Sequence, residues 1–136
     1  MDMIKAQDVR FQYENPDEPP REVLDGIDLR VGKGSFVALL GHNGSGKSTL
    51  AKHFNAMLLP TGGKILVLDM DTADEPLTYE VRRTVGMVLQ NPDNQMVSTI
   101  VEEDVAFGPE NLGVPPEECR RRVDDALRTV GMYHYR

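Results

Sequence analysis

The sequence predicts an α/β fold, and three neighbouring segments support this prediction. Residues 35–40 form a short continuous apolar run, which is typical of a strand covered on both faces of a parallel sheet. The run leads directly into a glycine-rich loop, and residues 48–57 after the loop have helical composition. A further apolar strand is predicted at residues 64–68. This alternation of strand, loop and helix indicates a core in which helices cover a parallel sheet.

The residues before this core predict a small antiparallel β unit. Two stretches alternate apolar with polar residues, as half-buried strands do. The apolar positions are Val9, Phe11 and Tyr13 in the first stretch, and Ile27, Leu29 and Val31 in the second. The segment 14–20 between them is rich in residues that turn or extend the chain, so it is predicted to break the first strand.

The second half of the chain changes from mixed to helical character. A short helix at residues 78–83 and a strand at residues 85–89 are predicted first. The change of character near residues 91–96 then divides the chain in two. Residues 1–90 are predicted to form the α/β core with its β subdomain, and residues 91–136 the start of a helical subdomain.

Two helices are predicted within residues 91–136. Thr99 and Glu102 have the spacing of a capping box at the start of the first helix, and the Gly-Pro pair at 108–109 should end or kink it. Prolines suit the first turn of a helix, so the second is predicted to begin at residues 115–116. Gly131 is a good stop for this helix. The apolar residues that recur at helical spacing along it are Cys119, Val123, Ala126, Leu127 and Val130.

Length, charge and cysteine content limit the class of protein. The 136 residues are enough for one domain with its own core. Acidic residues outnumber basic ones 22 to 15, and this net charge of -7 repels phosphate backbones, so nucleic acid is not an expected partner. Cys119 is the only cysteine, which excludes an intrachain disulfide and favours a reducing cytoplasm. No apolar run approaches the length of a membrane span, and the N-terminus lacks the apolar region of a signal peptide.

The three histidines are not spaced as metal ligands. His42 lies inside the glycine-rich loop and is predicted to face solvent. His53 is predicted to be a surface residue of the following helix, and His134 lies near an exposed end.

The segment GHNGSGKS at residues 41–48 carries the clearest chemical signal. It matches G-x-x-x-x-G-K-[ST] at every fixed position, between a predicted strand and a predicted helix. Gly41, Gly44 and Gly46 can turn successive backbone N–H groups inward as a nest for anions, and the start of the helix adds further unpaired N–H groups. Lys47 can reach the β- and γ-phosphates, and Ser48 can supply a hydroxyl to Mg²⁺. The segment therefore predicts a nucleotide site in a P-loop NTPase fold.

The acidic element that P-loop hydrolases need to hold Mg²⁺ and to position water is not evident. Asp69 ends an apolar run, but only a single helix and a tight turn separate it from the phosphate loop, and Met70 stands where a catalytic glutamate is expected. A strand followed by acidic turn residues is therefore the favoured interpretation. The acidic run 102–104 is similarly typical of a solvated helix face. Either the protein is a P-loop enzyme of another type, or the catalytic half is missing.

Longer stretches of the sequence resemble ABC-transporter ATPases, and specifically those of the energy-coupling-factor (ECF) type. VRFQY and LDGIDLRV resemble the opening β unit of these proteins, and KGSFVALLGHNGSGKSTLAKHFNAMLLPTGGKI resembles their phosphate-loop region. VGMVLQNPDNQMVSTIVEEDVAFGPENLGVPPEE resembles the stretch around their Q-loop. NPDNQ with DVAFGPENLG is characteristic of ECF ATPases, and NPDNQ is similar to the first of two paralogous ATPases in such complexes. The resemblance covers essentially the whole chain.

The resemblance implies ATP and Mg²⁺ as cofactors and suggests roles for residues of this chain. Tyr13 would stack on adenine. Lys47 and Gln90 would be the catalytic residues, and Gln90 would contact Mg²⁺ and the attacking water, with Ser48 as a second metal ligand. Gln90 would also link the nucleotide state to the helical subdomain. The residues that would hold the nucleotide's phosphates are Gly41, Asn43, Gly44, Ser45, Gly46, Lys47, Ser48 and Thr49.

The resemblance also implies motifs that should follow Arg136: an LSGGQ-type signature, a Walker B strand with its glutamate, a D-loop and a switch histidine. We therefore interpret the sequence as the truncated front part of such an ATPase, expected to bind nucleotide without turnover. The parent protein would hydrolyse ATP between two head-to-tail subunits, in a homo- or heterodimer. A transmembrane coupling subunit and a substrate-binding membrane subunit are the other implied partners. Together they would import a vitamin or a transition-metal ion, with the ATPase bound peripherally to the cytoplasmic face of the membrane through these partners.

Two other functions stay open from the sequence. A P-loop kinase or other phosphotransferase would use Asp69 or Asp71 for Mg²⁺ or substrate and would tolerate the missing glutamate. It needs an acceptor pocket and usually an arginine-rich lid, and residues 120–122 are the only compact basic run. The third possibility is a noncatalytic nucleotide-binding fragment.

Overall fold

The first two strands form a long antiparallel hairpin in the computed structural model, which describes all residues from Met1 to Arg136. Strand β1 spans Asp2–Asn15 and β2 spans Glu18–Gly32, with Ala6 opposite Leu29 in the register. Each strand alternates apolar and polar side chains, as a sheet with one buried face requires. The prediction of an antiparallel β unit at the front of the chain is confirmed.

The break predicted at residues 14–20 is much narrower in the structure. Only Pro16 and Asp17 form the turn, and strand structure resumes at Glu18. Pro19 and Pro20 lie within β2, which is an edge strand of the sheet. An edge strand tolerates proline because one side of its backbone needs no hydrogen-bonding partner.

Two further strands complete the sheet, in the order β2-β1-β3-β4. Strand β3 spans Gly62–Val67 and pairs antiparallel with β1, with Ile65 opposite Ala6. The two-residue strand β4, Met70–Asp71, pairs antiparallel with β3. The strand predicted at residues 64–68 is confirmed, shifted by one or two residues.

Two short helices accompany this sheet in a compact unit of residues Met1–Met87. Helix α1 spans Lys47–His53 and α2 spans Thr78–Thr84. Helix α1 is shorter than the composition of residues 48–57 predicts, and Ala56 beyond it has the left-handed φ of 62°. The core of the unit is formed by Ala6, Val9, Phe11, Leu24, Leu50, Ala56, Ile65, Val67 and Val81.

The strands predicted at residues 35–40 and 85–89 are not formed. Neither segment has strand structure, Phe36 and Leu40 are 97% and 91% exposed, and Val88 is 82% exposed. An apolar run becomes a buried strand only where neighbouring strands pair with its backbone on both sides. The four strands of this chain pair antiparallel with one another, and none pairs with either segment. The prediction was therefore wrong for these 136 residues.

Two helices form the second compact unit, Val88–Arg136. Helix α3 spans Val101–Asn111 and α4 spans Pro116–Thr129, so both predicted helices are present. They pack through a small apolar cluster of Ala106, Cys119, Val123 and Leu127. Ala126 and Val130 face solvent, although the spacing predicts them on the buried side. None of the helices in the chain combines the length and apolar character that a membrane crossing requires.

The start of α3 differs from the predicted capping box of Thr99 and Glu102. Ile100 is the N-cap residue and makes no side-chain capping bond. Asp104 instead accepts hydrogen bonds from the backbone N–H groups of Val97 at 2.7 Å and Ser98 at 3.2 Å. A carboxylate in the first turn can satisfy amide donors before the helix as well as inside it. The helix also continues through the Gly-Pro pair at 108–109 to Asn111.

The end of α4 follows the sequence-based prediction closely. Gly131 has the left-handed φ of 71°. Its N–H bonds the carbonyl of Arg128 at 3.1 Å, and the N–H of Met132 bonds that of Leu127 at 2.7 Å. These two bonds form a Schellman motif, which favours glycine at this position.

Candidate functional site

The segment 41–48 forms the loop that leads into α1 together with the first two residues of the helix, and its Gly46 lies against strand β2. Gly44 and Gly46 have φ values of 85° and 94°, in the left-handed region that favours glycine. A side chain at Gly46 would come within 3.2 Å of both Val23 and Leu24 on β2, so the backbone can approach the strand only because glycine stands there. Gly46 is also the N-cap residue of α1. The loop therefore places the start of the helix beside the hairpin.

Lys47 directs its ammonium group back across the loop. Its Nζ lies 2.5 Å from the carbonyl oxygen of Gly41, 3.0 Å from that of His42 and 3.3 Å from Oγ of Ser45. The backbone N–H of Ser45 also bonds the carbonyl of His42 at 3.2 Å. The ammonium thus holds both sides of the loop from the first residue of α1. Phosphate oxygens are stronger acceptors than these carbonyls for a cationic donor.

The predicted phosphate ligands lie together in this loop and the first turn of α1. Asn43 and Ser48 are exposed, and Gly46, Lys47 and Thr49 are partly exposed. The hydrogen bonds of the side chains in the loop are those that Lys47 makes. The sequence pattern and the backbone conformation are those of an anion-binding loop. Which of these atoms bind a nucleotide stays a prediction.

The structure brings Tyr13 of β1 to the first turn of α1. Its hydroxyl lies 3.1 Å from Oγ1 of Thr49, and its ring, 43% exposed, packs edge-on against Phe11 with 4.8 Å between ring centroids. The contact joins the predicted adenine ligand to the predicted phosphate ligands. An exposed aromatic ring at this position is accessible for stacking on a base.

Replacing Tyr13 with phenylalanine tests the contribution of this hydroxyl. Tyr13→Phe keeps the ring but removes the bond to Thr49, so we expect ATP affinity to fall by about fivefold or less, since a neutral hydrogen bond contributes about 1 kcal/mol. Tyr13→Ala removes the ring as well and should lose at least about tenfold. Calorimetric titration with ATP measures both values. Equal affinities for the two variants and the wild type would show that Tyr13 does not contact the nucleotide.

Gln90 belongs to the second compact unit, and its side chain is exposed. It directly precedes a short 3-10 turn, Pro92–Gln95, in which the side-chain oxygen of Gln95 accepts the backbone N–H of Leu89 at 3.0 Å. Its proposed contact with Mg²⁺ and water stays a prediction.

A turn at Leu68 and Asp69 follows β3, as the sequence predicts. Leu68 and Asp69 have φ values of 47° and 63°, the conformation of a two-residue hairpin between β3 and β4. Oδ1 of Asp69 lies 3.6 Å from Nζ of Lys5, and Oδ1 of Asp71 accepts a hydrogen bond from the backbone N–H of Ala73 at 2.9 Å. Both carboxylates thus have local structural partners.

The basic run at residues 120–122 is engaged in ion pairs along α4 and α3. Arg120 pairs with Glu102 at 2.8 Å, whereas Arg121 and Arg122 both bind Glu118. Hydrogen bonds from Arg121 and then Arg122 lower the pKa of Glu118 to about 2. These pairs leave the arginines on a solvated helix surface, and they give no support to a phosphate-binding lid.

His53 is not the surface residue that the sequence predicts. Its side chain is fully buried at the end of α1, with Nδ1 2.7 Å from the carbonyl oxygen of Thr49 and its ring edge-on to Phe11. The spacing contains a signal for this placement, because His53 follows Leu50 by three positions and shares its face of the helix. The polarity of the side chain concealed that signal.

Comparison with known proteins supports the interpretation of this loop. The sequence model described as ABC transporter matches residues 24–136. The energy-coupling factor transporter ATP-binding protein EcfA1 of Clostridium perfringens is 61% identical over 135 residues, which are 98% of this chain and 48% of that protein. The cobalt import ATP-binding protein CbiO of Syntrophus aciditrophicus is 50% identical over 133 residues, which are 98% of this chain and 46% of that protein. The chain thus spans about half the length of the curated relatives it matches.

Solved structures give the same result for the fold. CbiO1 from Clostridium perfringens, described as part of the ABC transporter complex cbiONQ, superposes with a TM-score of 0.82 at 36% identity, over 98% of this chain and 52% of that one. The ATP-binding cassette MJ0796, a dimer bound to ADP and Pi, superposes with a TM-score of 0.77 at 25% identity, over 93% of this chain and 56% of that one. The predicted fold class is confirmed. The chain belongs to the ABC transporter family, and its resemblance to the ATP-binding proteins of ECF transporters is confirmed.

Proposed function

We propose that this chain is the nucleotide-binding part of an ATPase subunit that energises the import of a micronutrient, a vitamin or a transition-metal ion, through an ECF-type transporter. The observation that carries the proposal is the loop that leads into α1. Gly44 and Gly46 have left-handed φ values there, and the ammonium of Lys47 bonds the carbonyl oxygens of Gly41 and His42. The names of the relatives, an ECF transporter protein and a cobalt import protein, support the transport function.

ATP and Mg²⁺ are the ligands we propose for the loop. The backbone N–H groups of the loop and the ammonium of Lys47 would bind the β- and γ-phosphates, while the ring of Tyr13 would stack on the adenine. Ser48 is exposed in the first turn of α1, beside Lys47, and its hydroxyl is the type of oxygen ligand that Mg²⁺ accepts together with phosphate oxygens. Mg²⁺ would neutralise charge on the phosphates when bound. Gln90 would complete the site as a metal and water ligand.

We propose that the membrane coupling subunit docks on the helices after Gln90, and a groove on the second unit supports this proposal. The groove lies between α3 and α4 and has a volume of about 440 Å³. Its lining includes three glutamates and Arg120, which is paired with Glu102, so an apolar segment with a basic residue is the partner that it fits. The lining residues are Glu102, Glu103, Ala106, Glu110, Val114, Pro116, Cys119, Arg120 and Val123.

The relatives also support the rest of the proposed assembly. CbiO1 is described as part of a transporter complex, and MJ0796 as a dimer after ATP hydrolysis. We propose that ATP is hydrolysed between two subunits, identical or paralogous, on the cytoplasmic face of the membrane. A separate substrate-binding membrane subunit would choose the imported micronutrient.

Phosphate release by two forms of the protein tests this proposal. We expect the 136-residue chain to bind ATP weakly and to release no phosphate, because these residues contain no LSGGQ-type signature and no evident catalytic glutamate. A form extended to the full length of its relatives should hydrolyse ATP, and only as a dimer. Malachite green measurement of phosphate, with gel filtration to separate monomer from dimer, distinguishes the two.

Two outcomes would contradict the proposal. Transfer of the γ-phosphate from ATP to an acceptor by the 136-residue chain would identify a phosphotransferase. Absence of ATP hydrolysis in the extended dimer, with ATP still bound, would identify a noncatalytic nucleotide-binding protein.

A further inference from the structure

His53 is the one titratable side chain without any exposed surface. Its Nδ1 lies 2.7 Å from the carbonyl oxygen of Thr49, and a carbonyl oxygen can only accept a hydrogen bond. Nδ1 must therefore carry the proton of the neutral ring. Nε2, the other nitrogen, has no hydrogen-bonding partner in the chain. The ring is thus held by one polar contact, directed at the backbone of the predicted phosphate-binding helix.

The contacts of His53 form a closed circuit between α1 and β1. The imidazole packs edge-on against Phe11, with 4.9 Å between centroids, and Phe11 packs edge-on against Tyr13. Tyr13 returns to α1 through its hydrogen bond with Oγ1 of Thr49. His53 binds the main chain of Thr49 and Tyr13 binds its side chain. The bond between His53 and Thr49 lies within α1 and fixes the orientation of the ring. The contacts that join α1 to the hairpin are those of His53 with Phe11 and of Thr49 with Tyr13.

We infer that His53 is a positioning residue of the nucleotide site: its neutral, Nδ1-protonated ring holds α1 in register with β1, so that Tyr13 contacts the base when the loop contacts the phosphates. This inference rests on the proposed function, because it requires ATP to bind with its phosphates at the loop and its base at Tyr13. His53 itself would contact neither the phosphates nor the base of ATP. It acts through Thr49 and Phe11.

The surroundings of the ring favour the neutral form that this role requires. Its two contacts, with the carbonyl of Thr49 and the ring of Phe11, carry no charge. The charged side chains nearby have other partners: Arg10 beside Phe11 pairs with Asp8 and Asp25, and Arg82 of α2 donates to the carbonyl oxygen of Ala56 at 3.3 Å. Burial lowers the pKa of His53 below 6.5, and the bond to Thr49 opposes this in part.

Protonation should release the contact between helix and hairpin. An imidazolium would place a charge and a second donor, at Nε2, where the chain offers no acceptor. The pKa of His53 is lower in the folded chain than in the unfolded one. Its contribution to the free energy of unfolding is therefore fully present above pH 6.5. It is lost as the pH falls from 6.5 through the lower pKa of the folded chain.

Comparing the binding of two ligands distinguishes a positioning role of His53 from a merely structural one. ATP needs both the loop and Tyr13, whereas inorganic tripolyphosphate needs only the loop. The measured quantity is the ratio of the two affinities, obtained by calorimetric titration of the 136-residue chain at pH 7.5. His53→Phe keeps an aromatic ring against Phe11 and removes the donor to Thr49. We expect the ratio of ATP affinity to tripolyphosphate affinity to fall about fivefold, since one neutral hydrogen bond is lost.

His53→Asn is the matched variant, because its amide nitrogen can replace Nδ1 as the donor and it does not titrate. We expect its affinity ratio at pH 7.5 to stay within about threefold of the wild-type value. As the pH falls from 7.5 through the pKa of His53 in the folded chain, which NMR titration of the ring locates, the wild-type ratio should fall, while that of His53→Asn should stay constant. The asparagine variant also corrects for the ionisation of the ligands themselves. NMR of the wild-type imidazole nitrogens should show the Nδ1–H tautomer at pH 7.5.

The outcomes distinguish this inference from the proposed function. Loss of affinity for both ligands by equal factors in His53→Phe would mean a merely structural role and would overturn the inference. If that variant does not fold, the same pH dependence in the wild type and in His53→Asn would overturn it. A wild-type chain that binds neither ligand would refute the proposed function, and the inference with it. If the wild-type chain binds ATP, the role of His53 is decided only by the ratio of ATP affinity to tripolyphosphate affinity.

Discussion

Lys47→Ala is expected to reduce the ATP affinity of the chain by on the order of a hundredfold, because hydrogen bonds to charged groups contribute about 1.5–3 kcal/mol each. In the structure the ammonium contacts the carbonyl oxygens of Gly41 and His42 and the hydroxyl of Ser45. We expect it to exchange these neutral acceptors for oxygens of the β- and γ-phosphates. The variant loses both the charge inside the loop and the bonds that hold its two sides together. Titration with ATP and Mg²⁺ measures the effect.

Lys52→Ala is the matched control for this experiment. Lys52 lies on the same helix, one and a half turns after Lys47, and its removal changes the net charge by the same amount. Its substitution should change ATP affinity by less than about threefold, since Lys52 lies in the last turn of α1, whereas the loop leads into the first. Similar losses in the two variants would mean that only the net charge of the helix matters. Unchanged ATP affinity in Lys47→Ala would contradict the nucleotide site altogether.

The antiparallel part of the fold is predictable because its signals are local. Residues of β1 and β2 alternate in polarity with a period of two, and the pattern remains readable across the short turn that joins them. The stop of α4 is equally local, since only glycine suits the conformation at Gly131. The strand predicted at residues 35–40 depends on partners instead. Its apolar character indicates burial in a sheet, but the chain supplies no strand beside it.

The loop of the candidate site is predictable for a similar reason. Left-handed glycines and a lysine at fixed spacing specify its shape without reference to the rest of the chain. The contacts of Tyr13 with Thr49 and of His53 with Phe11 join residues 36 and 42 positions apart, and no sequence period connects them. The predicted capping box of α3 does not form because the N–H of Glu102 bonds the carbonyl of Arg136 instead. Asp104 bonds the amides of Val97 and Ser98, which the spacing of a capping box does not indicate.

Gly63→Ala is expected to destabilise the first unit by about 3 kcal/mol or more, the sum of a left-handed backbone cost and a clash. Gly63 has a φ of 69°, and a side chain there would overlap the carbonyl groups of Gln7 and Asp8 on β1. Asp8 is itself left-handed, with a φ of 45°, at an irregularity in the pairing of β1 and β3. Backbone atoms on both strands would have to separate.

Gly34→Ala isolates the backbone part of this effect. Gly34 has nearly the same φ, 73°, but a side chain there would meet no atom within 4 Å. It should therefore lose only the cost of the left-handed conformation, about 1 kcal/mol. Urea unfolding followed by far-ultraviolet circular dichroism measures both free energies of unfolding. If the two variants lose the same stability, the close approach of β3 to the irregular segment of β1 does not exist in solution. If Gly63→Ala alone loses the larger amount, that approach holds β3 against β1, the strand that carries Tyr13 to α1.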